Sequence, residues 1–223
     1  MKTKVISLLM ILVLSASLAI AQDNGKTSFA IIGGMNLQNL NGKAFNGDKL
    51  NNDLLMSYHF GVNAEIAIAP KFYFQPGLQF SVKGDKNKSE ASTSTTKINY
   101  IEMPLNIVYK AAAGNGFVML GFGPYVAYGI GGNVKTEAGA LSLDQKIKFK
   151  SVVEATDDLL LPYYKPFDAG ANVFIGYEMA CGGFVQLDTQ LGLLKINPEY
   201  KEFPGSKSAE KNFGFGLSTG YRF

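Results

Sequence analysis

From Tyr58 to Ala69 the chain alternates without a break. Tyr58, Phe60, Val62, Ala64, Ile66 and Ile68 fall on one parity, His59, Gly61, Asn63, Glu65 and Ala67 on the other. A period of two is the spacing of a strand with one apolar and one polar face. The pattern recurs at Ser28 to Asn36, Phe72 to Lys83, Ile98 to Lys110, Phe117 to Gly131 and Phe167 to Ala180. It returns after the Cys181-Gly182-Gly183 turn, where Val185, Leu187, Leu191 and Leu193 oppose Gln186, Asp188 and Gln190, and in the closing stretch Phe213 to Phe223. This predicts an all-β chain of eight strands.

The connections alternate in length. A polar stretch up to Ser57, the Gly84 to Thr96 loop, the Gly132 to Pro166 insertion and the Lys195 to Lys211 loop are long; Pro70-Lys71, Ala111 to Gly116 and Cys181 to Gly183 are short. Within the longest insertion Leu141, Leu143, Ile147 and Phe149 still alternate, which predicts a hairpin rising from the barrel. An even number of antiparallel strands with one end of short turns and one of long loops is the plan of an up-and-down transmembrane barrel. It puts both termini at the short-turn end, the periplasmic side for an exported chain.

Alternation alone leaves open which face is inside, since a soluble barrel turns its apolar face inward. Two features favour lipid on the apolar side. The polar face is rich in Gly and nearly free of Lys, whereas a solvated sheet carries charge. Phe29, Phe72, Tyr109, Tyr177, Tyr221 and Phe223 gather at the short-turn ends on the apolar parity, as an aromatic girdle at headgroup level would. Tyr58, Phe60, Phe80, Tyr128 and Phe213 are placed for the opposite belt. Pro76, Pro104 and Pro124 fall inside strands that a closed barrel pairs on both sides, so bulges or rim positions are expected there.

At the amino terminus Lys2 and Lys4 precede an uncharged run from Val5 to Ala21 that ends Ala19-Ile20-Ala21. This is the pattern of a cleaved signal peptide at 1–21, leaving 22–223 as one barrel domain. Of 21 Lys and Arg, two lie in that segment, so 19 basic residues face 18 acidic ones, a balance that offers nothing to nucleic acid. One Cys excludes an internal disulfide and a thiolate metal cluster.

Several segments resemble one family, the PorT-like outer-membrane β-barrel domain of Bacteroidetes. They are Gln75-Pro76-Gly77-Leu78 with Ser81-Val82-Lys83-Gly84, Tyr100-Ile101-Glu102-Met103-Pro104-Leu105, and Gly121-Phe122-Gly123-Pro124-Tyr125. Phe167-Asp168-Ala169-Gly170, Gly176-Tyr177-Glu178, Gln190-Leu191-Gly192-Leu193-Leu194 with Asn197, Lys211-Asn212 and Gly220-Tyr221-Arg222-Phe223 complete the series in order. The resemblance implies an outer-membrane barrel, with an accessory role in secretion as one option. It also implies that Tyr221 and Phe223, at the end of the last strand, are read by the barrel-insertion machinery.

Chemistry is sparse. Glu65, Glu102, Glu178, Asp188 and Arg222 fall on the lumen parity. In a barrel of eight strands, whose interior only side chains can fill, they are expected to pair as a plug, Arg222 with Glu178 or Glu65. His59 shares its parity with Ser57 near the long-loop rim, the arrangement of a nucleophile and base, but no acid is fixed beside them by spacing. Glu154, Asp157 and Asp158 lack the spacing of a calcium loop. No cofactor, metal or catalytic site is expected. The expected function is a non-enzymatic barrel in outer-membrane lipid, its external loops binding a protein or ligand or shielding the surface. A small-solute channel and a rim acyl-transfer enzyme are the alternatives.

Overall fold

The computed structural model describes residues 27–203 and 205–223; the expected signal peptide at 1–21 lies outside them. Eight long antiparallel strands form the wall. In chain order they are β1 (Ser28–Lys43), β2 (Leu55–Ala69), β3 (Phe72–Lys88), β4 (Thr93–Ala113), β5 (Gly116–Ala138), β6 (Phe167–Glu178), β7 (Gly183–Gly192) and β8 (Ala209–Arg222). Each pairs with its neighbour in sequence. β8 returns to β1 from Ala30↔Arg222 to Lys43↔Ala209, so the sheet closes into a ring of eight. Among the described residues no helix is long and apolar enough to cross a membrane, a finding that does not bear on strands.

Parity decides the faces as the alternation predicts. Phe29, Ile31, Met35, Phe60, Val62, Leu78, Phe122, Val173, Leu187 and Leu217 point out and are exposed. Asn36, Glu65, Gln75, Glu102, Asn106, Asn172, Ser218 and Arg222 point in and are buried. Such a wall inverts the burial of a water-soluble domain, and the inversion is stable only where the outer face meets lipid.

Three strands run well past the sequence-based boundaries. β3 reaches Lys88, β4 begins at Thr93 and β5 ends at Ala138, where the alternation had given a loop from Gly84 to Thr96. These extensions stay paired through Lys88↔Thr93 and Thr93↔Glu137, and Leu141–Lys146 adds a further strand against β5, the predicted hairpin. Polar residues such as Thr93 and Thr95 suit a sheet that meets water, so apolar alternation is lost there while pairing continues. Short parallel ladders, Lys148–Phe149 with Tyr163–Tyr164 and Val152–Val153 with Glu199–Tyr200, tie the remaining loops together. Beneath them Leu40, Ile98, Tyr100, Tyr125, Ala127, Ile147 and Ile196 form an apolar cluster across the long-loop mouth.

The prolines correct one expectation. Pro76, Pro104 and Pro124 stand at mid-wall, neither at a rim nor in bulges. The register is unchanged across the gaps from Asn63↔Gly77 to Ile66↔Phe74, Pro76↔Leu105 to Gln79↔Glu102, and Pro104↔Tyr125 to Ile107↔Phe122. Pro76 faces Leu105, beside Pro104, which faces Tyr125, beside Pro124. The missing N–H donors are thereby gathered along one diagonal seam, and the loss of ladder bonds is confined to it.

Candidate functional site

The lumen is where this sequence departs most from a simple wall. At the short-turn end four charges meet. Lys110 Nζ donates to Glu65 Oε1 at 2.7 Å and to both carboxylate oxygens of Glu178 at 2.9 Å. Arg222 Nε donates to Glu178 Oε2 at 2.9 Å, and its Nη2 lies 3.4 Å from Glu65 Oε2. Two cations thus face two anions, all of them buried. Glu65, Glu178 and Arg222 come together as one group, with Lys110 between the two glutamates.

Towards the long-loop end a second cluster surrounds Lys83. Its Nζ lies 2.6 Å from Glu102 Oε2, 3.4 Å from Asp168 Oδ2 and 3.9 Å from the centre of the Tyr125 ring. Tyr125 Oη and Asn212 Nδ2 donate to the same Asp168 oxygen at 3.1 and 2.8 Å. Gln79 and Gln190 donate to Glu102 Oε1 at 2.7 and 2.6 Å. Lys83, Glu102 and Asp168 have no exposed side-chain surface. Glu102 is therefore in a different group from Glu65, and the lumen charges form two clusters instead of one network.

Lys83 and Lys110 correct the reading of the polar face as nearly free of lysine, and Asp168 is a further lumen charge that reading missed. The signal that finds them is the same parity: Lys83 follows Ser81 by two, Lys110 follows Asn106 by four, and Asp168 precedes Asn172 by four. Lysine at a strand end reads naturally as the start of a loop, and only longer strands with a closed ring turn those ends inward.

Between the clusters lies Asp188, whose Oδ1 accepts from Ser218 Oγ at 2.9 Å. Ser218 Oγ is 3.0 Å from His59 Nε2, and His59 Nδ1 is 2.9 Å from Asn36 Oδ1. His59 is well inside the barrel, not at its rim, because β1 and β3 continue beyond it to Lys43 and Lys88. Ser57 is not its partner; Ser57 Oγ donates to the Val82 carbonyl at 2.7 Å. The row from Asp188 to Asn36 needs two glycines. A Cβ on Gly34 would meet the His59 ring at 2.7 Å, and one on Gly216 would meet Asp188 Oδ2 at 2.4 Å. Gln75 and Gln186 line the same space.

The outward aromatics are placed as their parity predicts. Phe29, Phe72, Tyr177, Tyr221 and Phe223 are exposed and Tyr109 half-buried, with the Phe72 ring tilted against Tyr109 at 5.1 Å and Tyr221 edge-to-face with Phe223 at 5.2 Å. At the other end Phe80 packs against Phe60 at 5.3 Å and Tyr58 at 6.1 Å. In the long insertion Glu154 pairs with Lys201 and Asp157 with Lys150, while Asp158 accepts from the Leu160 amide.

The family model "Outer membrane protein beta-barrel domain" matches residues 6–223. No curated protein matches the chain. Among solved structures, the attachment invasion locus protein Ail of Yersinia pestis is similar at 10% identity over 90% of this chain and 100% of that one, with a TM-score of 0.40. Neisserial surface protein A is similar at 10% identity over 88% and 97%, with a TM-score of 0.42. Outer membrane protein AlkL is similar at 12% identity over 90% and 92%, with a TM-score of 0.37.

Proposed function

The chain belongs to the outer membrane protein β-barrel domain family, and we propose that it is a non-enzymatic barrel with a sealed lumen, acting at the cell surface through its long loops. The observation that carries this is the lumen. An eight-stranded wall leaves an interior that side chains largely fill, and here the Lys83 and Lys110 clusters cross it at two levels with buried ion pairs. An apolar cluster then covers the long-loop mouth. A transport path would have to break buried ion pairs, each costing about 3–5 kcal/mol when one partner is removed.

The loops supply the surface for a partner. They are laddered to one another above the wall, yet they keep Leu141, Leu143, Leu159 and Leu160 exposed, Leu160 at 83%, and in other loops the exposed Phe45 and Phe203 pair with each other at 5.7 Å. Apolar side chains held in water by ordered backbone mark interaction surfaces. The PorT-like resemblance of the wall segments supports a protein partner there, a component of secretion among the options. The aromatic belts support a wall set in lipid, and in this reading the short-turn end and both termini lie in the periplasm.

Planar-bilayer recording of the refolded protein tests the reading. A closed lumen gives rare, small openings; a steady, large conductance would overturn it in favour of a channel.

A further inference from the structure

The hairpin that rises at the long-loop end leaves one strand half-paired. Leu141–Lys146 pairs with β5 along one edge, from Ala138↔Leu141 to Asn133↔Lys146, and ends the sheet there. Its odd-numbered residues turn their backbone groups to β5. The pairing starts at the residues flanking the tight Gly139-Ala140 turn, and just past its end the Ile147 amide donates to the Gly132 carbonyl at 3.0 Å. The even-numbered residues turn theirs away from β5. Among the described residues no backbone group pairs with Ser142, Asp144 or Lys146 on that side.

Further along, the same edge already takes a strand. The Lys148 and Lys150 amides donate to the Pro162 and Tyr164 carbonyls, both at 2.9 Å, in the parallel ladder of Lys148–Phe149 with Tyr163–Tyr164. Pro162 ends that ladder, because one step up the donor to the Lys146 carbonyl would be its nitrogen, which carries no hydrogen. Before Pro162 the chain turns back on itself, Leu161 donating to the Asp158 carbonyl at 3.2 Å. The edge from Ser142 to Lys146 is thus open, and its pairing with β5 contains no bulge to twist it away.

Side chains define what would fit beside it. Leu141 and Leu143 are exposed and share a face with Gln145, whose Nε2 donates to the Leu160 carbonyl at 2.8 Å and brings that segment to the same face. Ser142, Asp144 and Lys146 occupy the other face, also exposed. A row of alternating donors and acceptors at strand spacing is matched in full only by another extended backbone.

On the reading that the long loops are the interaction surface, we propose that this edge docks an extended segment of a partner protein, which joins the hairpin as its next strand. The segment is antiparallel, the more stable arrangement, and alternates in character. Apolar side chains lie opposite Leu141 and Leu143, and polar ones opposite Ser142, Asp144 and Lys146. Residues opposite each other share a face, so the polar positions of the segment supply the N–H and C=O groups that bond the edge.

The probe is a short blocked peptide of alternating valine and threonine, added to the refolded protein in detergent micelles, with amide hydrogen exchange read by NMR. In the free protein the Ser142, Asp144 and Lys146 amides should exchange faster than those of Leu143 and Gln145. The peptide should slow these fast amides and shift their signals saturably. N-methylation of its threonines should abolish the effect, whereas N-methylation of its valines, whose amides point away from the edge, should not. Asp144→Pro removes an outward N–H and leaves the β5 ladder its donors, so it should weaken binding. Slow exchange without peptide would show the edge already covered, and equal protection by both methylated peptides would show adhesion through side chains alone. Either result overturns the proposal, as does an unmodified peptide that protects nothing. Bilayer recording is independent of all these outcomes, so a closed lumen with an unprotected edge rejects strand docking alone. Should Asp144→Pro not refold, the two methylated peptides decide by themselves.

Discussion

Lys110 is the residue on which the short-turn cluster depends, because it alone touches both glutamates at hydrogen-bond distance. Replacing it with Met leaves two buried carboxylates to one arginine and is expected to cost about 3–5 kcal/mol in denaturant unfolding. Arg222→Ala should cost less, since Lys110 still contacts Glu178 and Glu65. The opposite ordering would mean that Arg222 holds the cluster. A second residue-level prediction concerns Asp85 and Glu210, which lie beyond Phe80 and Phe213 and so outside the lipid-facing belt. Burial raises Asp85 to about 6; burial, then the nearby Asp85 charge, raises Glu210 to about 7. A carboxyl whose folded affinity for protons exceeds its unfolded affinity binds more protons when folded between about pH 4 and pH 7, so its contribution to stability falls as pH rises through that window. The loop platform should therefore resist a protease better near about pH 5.5 than near about pH 8. In Glu210→Gln most of that difference should disappear.

At the scale of the strand, the inward glycines are seats for side chains from neighbouring strands. Gly34 lies under the His59 ring and against the Leu217 carbonyl, whereas a Cβ on the outward Gly33 would meet nothing closer than 3.6 Å. The two adjacent residues should thus respond in opposite ways. Gly33→Val is expected to refold to the heat-modifiable, fast-migrating form on a denaturing gel, and Gly34→Val to fail, because its nearest neighbours include backbone that cannot move aside. Equal refolding of both would remove the seat interpretation. The last strand carries another prediction. Phe223 is mostly exposed on the lipid-facing side, its amide donating to the Phe29 carbonyl at 2.8 Å. Loss of one aromatic contact is worth about 1.5–3 kcal/mol at most, so deleting Phe223 should leave refolding in detergent nearly intact. If the insertion machinery reads this residue, the deletion will sharply lower outer-membrane levels in cells. Unchanged levels would leave it as a girdle residue only.

For the molecule as a whole, the proposed orientation can be read from its single cysteine. Cys181 is exposed in the turn between β6 and β7, at the short-turn end, while Leu141 is exposed at the opposite end. A membrane-impermeant maleimide should leave wild-type cells unlabelled until the outer membrane is permeabilised. It should label Leu141→Cys in a Cys181→Ser background on intact cells. Labelling of wild-type Cys181 on intact cells would invert the barrel.

The alternation of apolar and polar residues was enough to determine the strand count, the antiparallel order and which wall residues share a face, and the Gly-rich polar parity with aromatic strand ends turned the apolar face outward. In a closed ring, parity is a direct consequence of backbone geometry and needs no knowledge of partners. It also placed Glu178 and Glu65 opposite Arg222 by depth. Parity could not say which inward groups meet, because that depends on how the ring closes and on the stagger between distant strands. Lys83 reaches Asp168 across 85 positions of sequence, and His59 reaches Ser218 across 159. The tertiary structure alone divided the charges into two clusters, left a cavity between them and gathered Pro76, Pro104 and Pro124 on one seam. It also decided that polar stretches such as Lys86 to Thr96 remain strand and turn. Those contacts are set by ring closure and side-chain packing across strands, which no local pattern along the chain encodes.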